Sequence, residues 1–356
     1  MTIYHSEDLY DNNLFNLIKR DNAIILSLKK ENNILISSWL NGGICYNMDN
    51  VVNQTIGNGD YEQLDDGNYI EFQKNKFIHL NLNPDKSTGL MTSACMDNMA
   101  ISKKTYEQIT VYSIVTAGAD KNGVKAGDLA SFYEYNHHYF SHFGTINIIT
   151  VIDANLDDGA LVTAAITATE AKTSVLQDLK VESQYSHNIA TGTGTDGLCI
   201  ISNKNSQNHL ENAGKHSKLG ELISVSIREA TKKALFLQTF MSEEYQATVL
   251  SRLSRFNIYF EDFLNESSMD ELSYASVFYH FNKNKRNVAF VSSIINLVDE
   301  VQLGLLEIED ISFLIVNLIN SHLDLDVKNK KIENVGDITD LLIKSINQHL
   351  FDKNNG

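Results

Sequence analysis

Basic residues are in short supply. Lys and Arg number 29 against 45 Asp and Glu, a formal net charge of −16, and the few Lys-rich stretches are short and mixed with Asn. Binding nucleic acid through its phosphates needs a clustered basic surface, so the composition argues against nucleic acid as a partner. Cysteine is also scarce. Cys45, Cys95 and Cys199 stand far apart and never in C-x-x-C spacing, which indicates neither a zinc knuckle nor a disulfide framework and predicts reduced thiols in cytosol. No uninterrupted apolar run approaches the ~18 residues needed to span a bilayer. The N-terminal sequence MTIYHSEDLYDNNLF has neither a basic n-region nor an apolar h-region. The expectation is a cytoplasmic protein with no membrane insertion. The single proline, beside abundant Asn, Ile and Lys, reflects genome nucleotide composition more than physics.

With 43% hydrophobic residues in 356, the chain can bury a large core, as one domain of about 200 to 250 residues and a second unit. The stretch Thr191 to Gly197, Thr-Gly-Thr-Gly-Thr-Asp-Gly, reads as a turn feeding a buried strand, Leu198 to Ile201. Its glycines let backbone N–H groups approach a ligand, and its threonines and aspartate supply hydroxyls and a carboxylate. Gly192, Gly194 and Gly197 match G-x-G-x-x-G literally. A dinucleotide fingerprint opens a helix, however, and a strand follows here, so a Rossmann site is rejected.

In chain order, an amphipathic stretch spans Leu9 to Ile18. Ala23 to Leu28 and Ile34 to Trp39 read as strands across a polar turn, a hairpin ending on Asn41-Gly42-Gly43. Tyr69 to Leu82 reads as a strand with Phe77, His79 and Leu82 alternating, and Ile109 to Thr116 as another. His137, His138 and His142 are spaced to permit a metal, but Glu134 is the only nearby carboxylate, so a surface or core-edge role is preferred. Ala160 to Leu179 is the clearest helix, with Leu161, Ala164, Ala168, Ala171 and Val175 on one face. Opposite lies a stripe of Thr163, Thr167, Glu170 and Ser174, either a pocket wall or a solvent face. A second helix runs from about Ser217 to Leu237. Lys215, His216 and Lys218 crowd its N-terminus, where the dipole disfavours cations unless an anion answers them; Glu221 is near. Helices then dominate: one opened by a Ser268/Glu271 capping box, then Val288 to Gln302, Ile308 to Leu323 and Ile338 to Leu350. The fold class expected is α/β, a mixed β-sheet with packed helices over residues 1–245, followed by an all-helical appendage over 246–356.

Several blocks occur together: Ser37-Ser38 with Asn41-Gly42-Gly43; Met91-Thr92-Ser93-Ala94; Thr116-Ala117-Gly118 through Lys125-Ala126-Gly127-Asp128; Gly144-Thr145-Ile146-Asn147; Ala168 to Thr173; Ala190 to Asp196; and Gly214 to Glu221. In this combination, over roughly residues 25 to 240, the chain resembles the adenosylcobinamide amidohydrolase family of corrinoid salvage enzymes. Trp39 departs from the pattern, where a smaller residue is expected, and the helical appendage has no counterpart in the minimal family domain. The resemblance implies cleavage of the amide between a corrin-ring propionate and aminopropanol, giving adenosylcobyric acid and 1-amino-2-propanol for cobamide biosynthesis. The corrinoid is then substrate, not cofactor.

Amide hydrolysis needs an activated nucleophile, oxyanion stabilisation and protonation of the departing amine. Within the matching blocks, Glu170 is the candidate base for water, as a carboxylate in a partly apolar pocket. His216 is the candidate acid. Lys215, Lys218 and the N–H groups of Gly192, Thr193 and Gly194 are candidate oxyanion donors. Thr193 or Thr195, activated by Asp196 or His216, is an alternative nucleophile; water is preferred because no G-x-S-x-G elbow or Cys/His pair appears. Self-cleavage at Gly144-Thr145, exposing an N-terminal threonine, is a further alternative. Asn41, Gly42, Gly43, Thr92, Ser93 and Asn147 are candidate rim residues of a broad cleft, with Gly192, Gly194, Thr195 and Glu221 as further substrate contacts. No metal ligand or cofactor is assigned. Two other functions compete: a corrinoid- or tetrapyrrole-binding sensor, and a metal-dependent amidohydrolase with His216, Glu221 and Glu170 around a divalent ion. Roles open to the appendage are homo-oligomerisation, covering the cleft and docking a transporter.

Overall fold

The computed structural model describes residues 6–57, 59–60, 64, 67–130, 145–327 and 331–355. Glu134, His137, His138, His142 and Gly144 lie outside the described residues. The chain divides into two units, residues 1–242 and 243–356.

The first unit is α/β, built on two mixed sheets. Strands β1 (Ser6–Asp11), β2 (Phe15–Arg20), β3 (Ala23–Leu28), β6 (Asn50–Thr55) and β7 (Ser87–Thr92) form one sheet in that order. Its pairs are antiparallel except β6 with β7. The second sheet is ordered β5 (Gly43–Tyr46), β4 (Asn32–Ile36), β14 (Gly197–Asn203), β11 (Ile146–Ile152), β9 (Ile109–Ala117) and β8 (Ala100–Tyr106). Only β11 and β14 run parallel in it.

The central strands of both sheets are buried on both faces, and period-2 alternation sorts their side chains. Ile24 and Leu26 of β3 meet Ile34, Tyr112, Ile149 and Cys199 of the second sheet. Ala23 and Ile25 turn the other way, with Val52, onto Phe77 and Leu80 of the helix α1 (Tyr69–His79) and its end. On the outer face of the second sheet, Val115, Ile148 and Ile152 pack against Leu161, Ala164 and Ala168 of α2 (Asp158–Asp178) and Ile223, Ile227 and Ala230 of α3 (Lys218–Thr239). The result is four layers, helix, sheet, sheet, helices. Burial by itself pushes the thiol of Cys45 up to about 11 and, with Cys45 adding to it, that of Cys199 well above its usual range, which leaves neither as a thiolate near neutrality.

Two local readings are corrected. Tyr69 to Leu82 is a helix, not a strand: Phe72, Gln73, Phe77 and Leu80 are buried at helical spacing, while His79, read as an inward position, is exposed. Ala23–Leu28 and Asn32–Ile36 are not a hairpin. β3 pairs with β2 and β6, and β4 with β5 and β14, so the polar turn carries the chain from one sheet to the other. Local sequence is the same in both cases; partner choice is not local.

The second unit is helical: α4 (Val249–Leu253), α5 (Phe260–Asn265), α6 (Glu271–Lys283), α7 (Lys285–Gln302), α8 (Ile308–Leu323) and α9 (Val335–Asn355). Asp270, rather than Ser268, caps α6 by accepting from Ser273 N. Phe263, Tyr274, Phe278 and Phe281 centre its core with Ile311, Ile315, Ile319, Leu342 and Ile346. The Tyr274 hydroxyl bonds Asn347 Oδ1, whose Nδ2 donates to Phe263 O at 2.8 Å. No helix among the described residues is long and apolar enough to cross a membrane.

His349 is buried, with Nδ1 2.6 Å from Leu323 O, and His322 stacks on Phe290 with Nε2 2.9 Å from Asn287 Oδ1. Burial holds both below the usual 6.5, with the charges of His349 and Lys353 adding to it at His322 and that of Lys353 at His349, where the hydrogen bond to Leu323 O opposes it. Unfolded, each takes a proton below about 6.5; folded, each resists it, so stability is complete above that pH and falls as pH drops through it. Thermal melts of the full chain are expected to show the transition of this unit moving down between pH 7.5 and 5.5, and His349→Asn to flatten that dependence. A pH-independent transition would contradict this assignment.

Candidate active site

The ends of β4, β6, β7 and β9 and the beginnings of β11 and β14 meet at one end of the two sheets. The pairings Ile146 with Ala117 and Asn147 with Gly197 place them together. Between the sheets here lies a buried polar seam. Asn53 Nδ2 donates to Thr116 Oγ1 at 2.9 Å, and Asn147 Nδ2 donates to Asn53 Oδ1 at 2.8 Å and to Met91 O at 3.0 Å. Asn147 Oδ1 is buried with no hydrogen-bond partner among the described residues. Gly197 faces it so closely that a Cβ would come within 2.4 Å.

Just outside the seam, Lys172 of α2 is paired with Asp196. The lysine side chain is 9% exposed and the carboxylate 20%. Asp196 also accepts from Thr193 N at 3.1 and 3.2 Å, from Thr193 Oγ1 at 2.6 Å and from Ile146 N at 3.2 Å. Four donors thus meet the roughly four lone-pair sites of one carboxylate. Gly192, with Thr193, forms the short strand β13, which pairs with Gly123–Val124. A Cβ on Gly192 would reach 2.4 Å from Asp196 Oδ2 and 2.7 Å from Lys172 Nζ, so this position requires glycine. Thr145 Oγ1 donates to Thr195 O, and Thr173 Oγ1 to Thr191 O at 2.8 Å, fastening the turn on both sides.

The residues expected from sequence fall into three groups. Thr193, Asp196, Gly192, Gly194, Thr195 and Asn147 gather at this sheet end. Thr92 is buried nearby, with Oγ1 accepting from Ala94 N at 2.9 Å, and Ser93 follows it, half-buried. Asn41, Gly42 and Gly43 build the turn from β4 to β5. Asn41 Nδ2 is committed to Pro84 O and Ser87 O, both at 2.8 Å, and a Cβ on Gly42 would strike Ser38 O at 1.9 Å. Beyond Ser37, whose Oγ accepts from Leu198 N at 2.9 Å, Trp39 stacks on Tyr69 with ring centroids 4.6 Å apart and is 47% exposed.

The third group sits elsewhere on α2 and at the start of α3. Glu170 is not set in an apolar pocket: it is half-exposed and ion-paired with exposed Lys215. Glu170 and Lys172 are two residues apart on one helix, about 200° around its axis, so they face different surroundings. Lys218 pairs with Glu221 at 2.5 Å and lies over the Tyr106 ring, and His216 is exposed. Carboxylates therefore answer the two lysines that crowd the start of α3. The hydroxyl stripe is a seam rather than a pocket wall: Thr167 Oγ1 donates to Ala213 O at 2.9 Å, and Ser174 Oγ accepts from Arg228 of α3.

Lys172 is the residue that sequence reasoning passed over. Its signal was present, because Ala168, Ala171, Lys172 and Val175 share one buried face at helical spacing and a lysine there needs a partner. As for a metal, Glu170 and Glu221 are engaged by lysines. Among the described residues, Asp157, His209 and Glu211 bring ligand atoms within 4.8 Å of one another. They are exposed and lie beyond the far ends of β11 and β14, away from Asp196.

Lys172→Met leaves a mostly buried carboxylate uncompensated and is expected to cost about 3 kcal/mol of stability. Lys172→Met with Asp196→Asn is expected to recover part of it. Denaturant titration checks both, and equal losses in the single and double variants would mean the pair is not coupled.

Comparison with known proteins gives three similarities. A Pyrococcus horikoshii protein of known crystal structure aligns with 65% of this chain and 83% of its own at 13% identity, with a TM-score of 0.33. An uncharacterised protein of Methanocaldococcus jannaschii is 32% identical over 183 residues, 48% of this chain and 71% of the relative. The sequence profile of adenosylcobinamide amidohydrolase matches residues 6–243, which include every element of the site described above. The chain belongs to the adenosylcobinamide amidohydrolase family.

Proposed function

We propose that this chain hydrolyses the amide joining a corrin-ring propionate to aminopropanol in adenosylcobinamide, releasing adenosylcobyric acid and 1-amino-2-propanol in corrinoid salvage in the cytoplasm. The observation that carries the reading is the Lys172–Asp196 pair, wrapped by the Thr191–Gly197 turn at the end of the sheets. Amide hydrolysis develops negative charge on the carbonyl oxygen, and donors held in place before reaction stabilise it most. A nearly buried ammonium beside a glycine-rich turn is a donor of that kind. In this reading Lys172 takes the part first given to Lys215 and Lys218. Asp196 and Thr193 hold Lys172 and the turn in place, and Glu170 and His216 belong to the surface between α2 and α3. The corrinoid enters as substrate, and the exposed Trp39–Tyr69 stack offers its flat ring an apolar surface.

Incubation with adenosylcobinamide and mass spectrometry of the products is expected to show adenosylcobyric acid and free aminopropanol. Lys172→Met is expected to lower turnover at least ~100-fold in the folded fraction, the scale of losing one oxyanion donor. Glu170→Gln and His216→Ala are expected to stay within about threefold, well short of the ~100-fold loss of a general acid or base. Losses of ~100-fold in the latter two would move the centre to the start of α3. Tight binding without product would make the chain a corrinoid sensor.

A further inference from the structure

Both donors of Thr193 reach Asp196, the backbone N–H at 3.1 Å and the hydroxyl at 2.6 Å from Oδ1. A threonine and an aspartate three residues on can make such contacts within a tight turn, with no help from elsewhere. Here the other carboxylate oxygen, Oδ2, is held by Lys172 Nζ, which comes from a helix 24 positions away. A turn needs no buried ammonium to close, and burying one costs solvation. Hydroxyl, carboxylate and ammonium thus stand in a row. Asp196 is in the middle, with one oxygen accepting the Thr193 proton and the other facing Lys172.

A nucleophile, its base and a group that orients the base are arranged in this same order. An alcohol attacks poorly until its proton is taken, and a 2.6 Å O–H···O⁻ contact falls in the short range of charge-assisted bonds. Gly192 and Gly194 flank the threonine. A Cβ on Gly192 would stand 2.7 Å from Lys172 Nζ, and one on Gly194 3.2 Å from Asn122 Oδ1. The ion pair and a buried amide therefore close in on the backbone on either side of Thr193. Thr193 is 7% exposed and the Asp196 side chain 20%, so the hydroxyl is largely shielded from bulk water while the carboxylate beside it keeps some access to the surface. An ammonium carries three N–H donors, which lets Lys172 hold Asp196 and also meet an oxyanion.

We propose that Thr193 is the nucleophile of this chain and that amide hydrolysis passes through an ester on Thr193 Oγ1. Asp196 takes the hydroxyl proton, Oγ1 adds to the amide carbonyl carbon, and the carbonyl oxygen, now negative, lies against Lys172. The C–N bond then breaks, the amine leaves with the proton from Asp196, and the acid stays behind as the ester. Water completes the cycle. Asp196 takes one of its protons, the hydroxide adds to the ester carbonyl, the C–O bond to Thr193 breaks, and Oγ1 recovers the proton. One water is consumed and no other reactant is needed. The attacking group is then a side chain, not the water preferred from the sequence, and Thr193 acts on the substrate besides holding Lys172 and the turn. The substrate rests on the amidohydrolase reading above; the reactivity of the hydroxyl does not.

Two reagents separate those parts. p-Nitrophenyl acetate probes the hydroxyl alone. The wild-type chain is expected to release nitrophenol in a burst and to carry one acetyl group on Thr193, located by peptide mass after an acid quench. With adenosylcobinamide, an acid quench during the first turnovers is expected to catch the corrinoid acyl group on the same residue, with aminopropanol released ahead of the acid. Thr193→Val keeps the shape and removes the hydroxyl; it is expected to lose both adducts and at least ~1000-fold in turnover. Thr193→Ser is expected to keep both adducts and to stay within ~tenfold of wild type. A hydroxyl that only props Asp196 forms no covalent adduct. Wild-type protein without an adduct from either reagent, an adduct on another residue, or Thr193→Val turnover within ~tenfold of wild type would overturn the proposal. The wild-type and Thr193→Ser adducts decide the matter even where the valine variant does not fold. Acetylated Thr193 in a chain that leaves adenosylcobinamide untouched keeps the nucleophile and sinks the substrate reading. Turnover of adenosylcobinamide with no adduct keeps that reading and sinks the nucleophile.

Discussion

A lysine that rises from a buried helix face must find a negative charge, and in this protein it finds Asp196. Burying an ion pair costs solvation on both sides, and that cost is offset only when the geometry is close and the remaining hydrogen-bonding capacity is used. Asp196 meets the condition by accepting from Lys172, from both donors of Thr193 and from Ile146 N. One carboxylate thereby ties α2, the Thr191–Gly197 turn and the head of β11 to a single point. The absence of a Cβ on Gly192 is part of the same constraint, since lysine and carboxylate meet where that atom would stand.

The two-sided burial of the central strands in both sheets gives this point its rigid support. Between the sheets most contacts are apolar, but at the site end Asn53, Thr116 and Asn147 replace them. Buried amides are tolerated only when bonded, and these bond across the layers, from β6 to β9 and from β11 to β6 and β7. The candidate site therefore adjoins strand ends that cannot shift independently, while the loops carry the glycines.

Much of this was legible in the residues. The 3.6-residue periodicity of Leu161, Ala164, Ala168 and Val175 marks α2, and similar patterns mark α3 and the later helices. Glycine spacing and a following apolar run mark the turn at Thr191 to Gly197. Asp196, Thr193 and Asn147 stand out as candidate site residues because they are polar groups in or beside such local signals, and the structure gathers them at one sheet end. Glu170 and His216 were selected on the same grounds and face elsewhere, because chemical type does not reveal direction: two positions along a helix separate Glu170 from Lys172 by half a turn.

What the sequence by itself determined is local: which segments coil and which extend, Tyr69 to Leu82 excepted, where the chain turns, and that the last third is helical. Tertiary structure alone decided that β3 and β4 part into different sheets, that the Thr163–Ser174 stripe meets another helix, and that Lys172 meets Asp196. The reason is separation along the chain. Periodicity and capping act over a few residues, whereas the contacts that assemble the site join positions 24, 50 and 94 apart. Such partners are chosen by the packing of whole layers, and no single stretch of residues records that choice.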